Sequence, residues 1–241
     1  MMSDIKFLDP KTPVAIKVQA AIKQGDSDTL QELLDGQPGL ATIRIGDATE
    51  ARSLLHIATD WPGQTPNGPK IIKILVDAGG DVNATFVGKH TETPLHWAAS
   101  NDDVLALDML LDLGANIEAE GGVIGDGTPL ADARAFLQLN TARRLVERGA
   151  HVDLQDAATL GLMDHLEKEF VAQPGPQQET VNMAFWNACH GGQLLAAKFL
   201  HQEGADVNYI PPWADNTPLA EAKSAGYEGL LSWLNSIDVQ A

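Results

Sequence analysis

The chain has 241 residues, of which 33 are acidic and 16 basic, 44% are hydrophobic, and a single one, Cys189, is a cysteine. That apolar share belongs to a folded globular protein and excludes disorder over most of the length. A formal charge of −17 repels phosphate backbones, so nucleic acid is excluded as the expected partner. One cysteine cannot close an internal disulfide, and the expected compartment is the cytoplasm. The opening MMSDIKFLDPKTPVAIK has no apolar run of signal-peptide length, and no stretch of about 18 apolar residues follows, so no membrane contact is expected.

Taken in chain order, the sequence repeats itself. A weak first copy, AAIKQGDSDTLQELLDGQPG at 20–39, precedes SLLHIATDWPGQTPNGPKIIKILVDAGGDVNA at 53–84 and TPLHWAASNDDVLALDMLLDLGANIEAE at 93–120. TPLADARAFLQLNTARRLVERGAHVD at 128–153 is the fourth copy. The fifth, AATLGLMDHLEKEFVAQPG at 157–175, is again weak, with Gly161 136 residues after Gly25, or four lengths of 34. MAFWNACHGGQLLAAKFLHQEGADVN at 183–208 and a shortened TPLAEAKSAGYEGLLSWLNSI at 217–237 complete the series. The repeats lie near 14–50, 51–90, 91–126, 127–151, 152–180, 181–215 and 216–241.

Each copy reads as a helix pair. In the third, Thr93 and Pro94 supply a cap and a preset φ, and Leu95, Ala98 and Ala99 form one apolar face. Val104, Leu107, Leu110 and Leu111 then form a second amphipathic helix, which Gly114 ends in the left-handed conformation. No copy can bury its apolar face alone, so the copies must stack.

The T-P-L-H-x-A opening and the repeat length resemble the ankyrin repeat, over nearly the whole chain. The resemblance implies an all-α solenoid of about seven helix-turn-helix repeats with hairpin-like fingers, the first and fifth degenerate, forming one domain over residues 1–241. HIATDWPG (56–63), HTETPLHWAASNDD (90–103), GGVIGDGTPLADA (121–133) and FWNACHGGQ (185–193) further resemble a bacterial group of stand-alone ankyrin proteins without an assigned role. Two spacings depart from the ideal. The second repeat carries about five extra residues within TDWPGQTPNGP, and only 24 residues separate Thr128 from Val152, so the finger between the fourth and fifth repeats is largely deleted. The polar first repeat, with Glu228 and Ser232 in the last, reads as capping of the array.

Ankyrin solenoids commonly bind on the concave side, where the fingers and first helices lie. Positions i, i+3 and i+4 from the residue after the histidine of the opening share one helical face. They include Asp60 and Trp61, then Trp97 and Ser100, then Asp132 and Phe136, followed by Asp156, His190 and Glu221. With Trp186 these ten are the candidate partner-binding residues, and a line so acidic and aromatic favours a cationic ligand. His190 is expected between Asp156 of the preceding repeat and Glu221 of the following one. The resemblance gives His56 and His96 a structural role, hydrogen-bonding locally and tying adjacent repeats. Cys189 fills an alanine slot and reads as a small buried residue. Arg143, Arg144 and Arg148 read as a solvated basic edge.

No HExxH, paired CxxC, GxSxG, Walker loop or dinucleotide fingerprint is present, so no catalytic residue, metal or cofactor is assigned. The expected function is a monomeric, non-catalytic interaction module that binds a protein partner's basic segment in its groove, of a neutralising or regulatory kind. The alternative is a small-molecule-binding protein or an unrecognised enzyme, with a pocket on the concave face of the second to sixth repeats, around His56, Asp60, Trp61, His96, Trp97, Asp132, Asp156 and His190.

Overall fold

The computed structural model describes residues 6–172 and 174–238. The chain divides into two compact units, Met1–Ala150 and His151–Ala241, where the sequence reads as one continuous stack. The boundary falls at the shortened spacing after the fourth repeat.

The first unit opens with β1 (Phe7–Leu8), α1 (Pro13–Gln24), α2 (Ser27–Gly36), β2 (Arg44–Gly46) and β3 (Ala51–Ser53). It continues with α3 (Leu54–Ala58), α4 (Gly68–Asp77), α5 (Pro94–Ser100), α6 (Val104–Asp112), α7 (Pro129–Ala135) and α8 (Leu139–Glu147). Thr12, Ser53 and Thr128 each accept an amide of the first helical turn with the side-chain oxygen, and Pro13, Pro94 and Pro129 stand where a helix has no use for the missing N–H. The α3 helix has only five residues, because the extra segment leaves it at Asp60 and turns through Pro62, Gly63 and Pro66. That turn is strapped to both neighbouring repeats. Asn67 Nδ2 donates to the Gly25 carbonyl at 2.9 Å and Gln64 N donates to Asp103 Oδ2 at 2.6 Å. Gly25 must be glycine, since its φ is +66° and an added Cβ would stand 2.0 Å from the Pro66 carbonyl oxygen.

Leu54, Leu55, Ile71, Ile72, Leu75, Leu95, Leu107, Leu110, Leu130 and Leu145 are buried along this unit, as are the small Ala58, Ala98, Ala99 and Ala133. On the finger side, β1 pairs parallel with β2, β2 pairs antiparallel with β3, and Ala51 bridges to Val87. Thr91 N then donates to the Gly121 carbonyl at 3.1 Å, so backbone bonds pass from one finger to the next. The arginines on α8 and at its C-cap are not a free basic edge. Arg144 and Arg148 reach back to Asp108 at 2.8 and 2.7 Å, and Arg148 also meets Asp112 at 2.7 Å. Arg143 is exposed. Partial burial pushes the Asp108 carboxyl up, but the hydrogen bonds from Arg144 and Arg148 outweigh it and hold the group below the ordinary carboxylate range.

The second unit contains α9 (Leu154–Leu160), α10 (Met163–Val171), α11 (Gln178–His190), α12 (Leu194–Gln202), α13 (Pro218–Ala225) and α14 (Glu228–Asp238). Its core joins Leu166, Phe185, Cys189, Leu200, Leu230 and Leu234. Burial pushes the Cys189 thiol up to about 12, which leaves it a packing residue without nucleophilic character. Among the described residues no helix is long and apolar enough to cross a membrane.

Neighbouring leucines of α6 test this register. Leu107 is fully buried and Leu105 is exposed. Leu107→Ala is expected to lower the unfolding free energy in urea by about 2–5 kcal/mol. Leu105→Ala should change it by less than about 0.5 kcal/mol.

Candidate functional site

Two buried histidines set the frame of the site. Ser53 N donates to His56 Nδ1 at 3.3 Å, which leaves the ring proton on Nε2, and Nε2 lies 3.0 Å from the Glu92 carbonyl oxygen. One repeat later, Thr93 N donates to His96 Nδ1 at 3.0 Å, and His96 Nε2 donates to the Gly127 carbonyl at 3.1 Å. Each ring thus holds the finger of the following repeat. Burial pushes His56 down to about 3 and lowers His96 as well, so both rings are neutral at physiological pH.

The Glu92 whose carbonyl meets His56 also organises a side-chain cluster. Its carboxylate is buried, with Oε2 accepting Trp97 Nε1 at 2.9 Å. His90 Nδ1 lies 2.8 Å from the same oxygen, out of line for a hydrogen bond, and its ring stacks on Phe86 at 4.9 Å. Trp97 sets its edge against His56 at 4.9 Å, and the Arg52 guanidinium stands 5.5 Å over the indole. Arg52 is itself paired with Asp60 at 3.1 Å.

Asp132, on α7, has no solvent exposure. Its Oδ1 accepts the Ile124 amide at 3.4 Å, and its Oδ2 has no hydrogen-bond donor. Gly122 presses on this carboxyl so closely that an added Cβ would stand 2.8 Å from both oxygens. Burial and the negative charge of Glu92 raise Asp132 to about 8, against the opposing pull of the Ile124 amide and Arg134.

The ten residues picked out on the helical face fare differently. Trp61 is 79% exposed and Phe136 46%. Asp60 sits between Arg52 and Lys23, the latter at 3.8 Å. Trp97 and Ser100 are half-buried, and the Ser100 hydroxyl oxygen has no partner. Asp132, Asp156 and Trp186 are buried, which corrects their reading as open groove positions. Asp156 turns back to accept the Asp153 amide at 3.1 Å while its own amide donates to Asp153 at 2.7 Å, closing a capping box. Trp186 donates Nε1 to the Asn216 carbonyl at 2.9 Å and stacks on His190 at 5.2 Å. His190 Nδ1 lies 2.8 Å from Glu221 Oε1, so the second unit brings Trp186, His190 and Glu221 together.

Helical spacing does not reach the fingers, and the residues it misses are there: Arg52, Phe86, His90 and Glu92. It also misses a cleft of about 630 Å³ lined by Phe7, Asp9, Asp47, Glu50 and Arg52 among others. A hollow of about 230 Å³ lies at Lys23, Asp60, Trp61 and Pro62. The Arg52–Asp60 ion pair joins the walls of the two. Only the placement of a solvent-facing Phe7 near three acids signals the cleft, and that needs the β1–β2 pairing. Among the described residues no group of three or more His, Cys, Asp or Glu is arranged to hold a metal.

A family model described as ankyrin repeats (3 copies) matches residues 18–121 and 67–156, and the chain belongs to that family. Over 198 residues it is 36% identical to palmitoyltransferase AKR1 of Kluyveromyces lactis, covering 82% of this chain and 23% of that protein. It is 29% identical over 150 residues to the ankyrin repeat and KH domain-containing protein CBG24701 of Caenorhabditis briggsae, covering 58% of this chain and 6% of that one. The chain therefore spans less than a quarter of the length of these relatives, which are eukaryotic where the sequence resemblance points to a bacterial group. The ankyrin repeat domain of human ASB11 superposes with a TM-score of 0.55 at 20% identity, covering 93% of this chain and 98% of that domain, a likeness of fold.

The buried titratable groups set opposite pH dependences. Unfolded histidine titrates near 6.5. With His56 depressed in the fold, its contribution is complete above about that pH and is lost as the pH falls towards 3. Urea unfolding of the wild type should therefore lose about 1.4 kcal/mol per pH unit more than His56→Gln below pH 6. Asp132 is raised in the fold, so its contribution is complete below about pH 4, the range of an unfolded aspartate, and is lost as the pH rises towards 8. Asp132→Asn should gain stability relative to wild type progressively across that window.

Proposed function

We propose that the first compact unit is a non-catalytic docking platform for a basic segment of a protein partner. The observation that carries this reading is the surface running from the Phe7 cleft to Trp61. Exposed aromatic side chains stand at its two ends, Phe7 and Trp61. Between them the cleft presents the exposed carboxylates of Asp9, Asp47 and Glu50, and the Arg52–Asp60 pair connects the cleft to the Trp61 hollow. Exposed tryptophan contributes nothing to solubility and is the side chain most enriched among energetically dominant interface residues. Clustered surface acids steer a cationic partner, an effect reinforced by the net charge of −17. Membership of the ankyrin-repeat family supports protein binding in general, while the chemistry of the segment rests on these side chains.

The partner would be isolated by native mass spectrometry at low salt and its affinity measured by calorimetry against variants. Trp61→Ala, which removes a side chain the fold does not bury, is expected to weaken binding by roughly 10- to 100-fold. The double reversal Asp47→Lys with Glu50→Lys should slow association and flatten its dependence on salt. A partner bound equally well by all three proteins would remove this surface from consideration.

A further inference from the structure

One cation seat on the first unit is already filled by the chain itself. The Trp97 indole is fixed from within the fold: its Nε1 donates to the buried Glu92 carboxylate at 2.9 Å, His56 packs against it in a T-shape at 4.9 Å, and Phe86 leans on it at 5.8 Å. Over the ring, at 5.5 Å, stands the Arg52 guanidinium, with Asp60 at 3.1 Å and Glu50 at 3.9 Å beside it. An indole face next to two carboxylates favours a guanidinium over an ammonium, because the planar ion can stack and fork at once.

Arg52 fills this seat incompletely. Among the described residues a single hydrogen bond holds the guanidinium, from Nη1 to Asp60 Oδ2. The other Asp60 oxygen accepts the Trp61 amide at 3.0 Å, so Arg52 does not make the two-pronged contact that gives arginine–carboxylate pairs their strength. Glu50, at 3.9 Å, is too far for a hydrogen bond, and its side chain is 70% exposed. The backbone explains the shortfall, since Arg52 is fixed on β3 opposite Ile45 of β2 and must reach the seat from there. An arginine brought by another chain carries no such tether and can settle between Asp60 and Glu50. Once displaced, Arg52 keeps carboxylates within reach, because it is already part of the wall of the Phe7 cleft together with Asp9, Asp47 and Glu50. The exchange therefore strands no charge.

We propose that Trp97, Asp60 and Glu50 form an arginine-recognition site and that Arg52 is its resident surrogate, given up to an arginine of the partner's basic segment. The inference rests on the first unit being a platform for such a segment, and adds which cation that platform takes and at which residues. Arg52 competes with arginine in particular, whereas a positive charge outside the seat weakens the binding of every cation alike.

The probes are acetylated and amidated tetra-arginine and tetra-lysine, titrated by calorimetry into the whole chain at low salt. The Trp97 indole resonance, assigned by its loss in Trp97→Phe, would be followed by ¹H–¹⁵N spectroscopy in the same titrations. The wild type should bind tetra-arginine more tightly than tetra-lysine, and the indole resonance should move with tetra-arginine. Arg52→Gln should tighten tetra-arginine about tenfold and tetra-lysine by no more than about threefold. Lys23→Gln removes one charge near Asp60 but leaves Arg52 over Trp97, so both peptides should gain by the smaller factor. Asp60→Asn added to Arg52→Gln should cancel the selective gain. An equal gain for the two peptides in Arg52→Gln, or an indole resonance that tetra-arginine leaves in place, would overturn the seat while the acidic platform stands. Binding of neither peptide to any of these proteins would remove the platform and the seat with it. Arg52→Met, which keeps the apolar stem, takes the place of Arg52→Gln should the latter not fold.

Discussion

The hydrogen bond from His56 Nε2 to the carbonyl of Glu92 spans 36 residues of sequence and one boundary between repeats. It exists because the second repeat buries its apolar face only by stacking on the third, and every polar group caught at the boundary must then find its partner across it. The imidazole meets that demand twice, accepting from its own helix cap and donating to the next finger. His96 does the same one repeat further on, with Gly127 as acceptor. The fingers are held in place by these rings as much as by their own turns. Because the residue His56 holds is Glu92, the same interaction places a buried carboxylate against Trp97 and His90.

The acidity of the chain is unevenly spent. Near the helices several carboxylates already have partners: Asp108 takes two arginines of the following repeat, Asp60 takes Arg52 and Lys23, and Asp102 accepts the Thr141 amide. Each partly exposed pair contributes little to stability, but together they fix the lateral register of neighbouring repeats. The acids left exposed in the first unit include Asp9, Asp47 and Glu50, which face the Phe7 cleft. A net charge spread evenly over the surface would repel cations nowhere and attract them weakly everywhere. Of those exposed acids, Glu50 lies 3.9 Å from Arg52, while among the described residues Asp9 and Asp47 accept only nearby backbone amides and the Thr49 hydroxyl.

Much of the helical scaffold was legible beforehand. Thr-Pro at four helix starts and a left-handed glycine shortly after α4, α6, α8 and α12 are local instructions, read by the backbone without help from distant residues. The excess in the second repeat was visible as a spacing error and became the turn from Asp60 to Asn67. Helical periodicity also named two of the aromatic residues that stand in solvent, Trp61 and Phe136. It failed at Asp156, where a carboxylate three residues past a cap folds back onto it, and at Trp186, whose N–H is claimed by the Asn216 carbonyl. It had no means of finding Glu92, His90 or Phe7, which lie on segments without helical period.

From its sequence alone this protein is a stack of ankyrin repeats with a surplus of acid and histidines in the capping positions. Those properties follow from short-range rules, since a cap, a left-handed glycine and an apolar stripe act over distances of one or two turns. Which carboxylates are spent, which tryptophans are wetted, and that Asp132 lies buried beneath Gly122 were decided only by tertiary structure. The physical reason is that burial is a property of what lies on top of a side chain. In a stacked protein the covering group comes from the next repeat or from a finger, some thirty to forty residues away in the sequence.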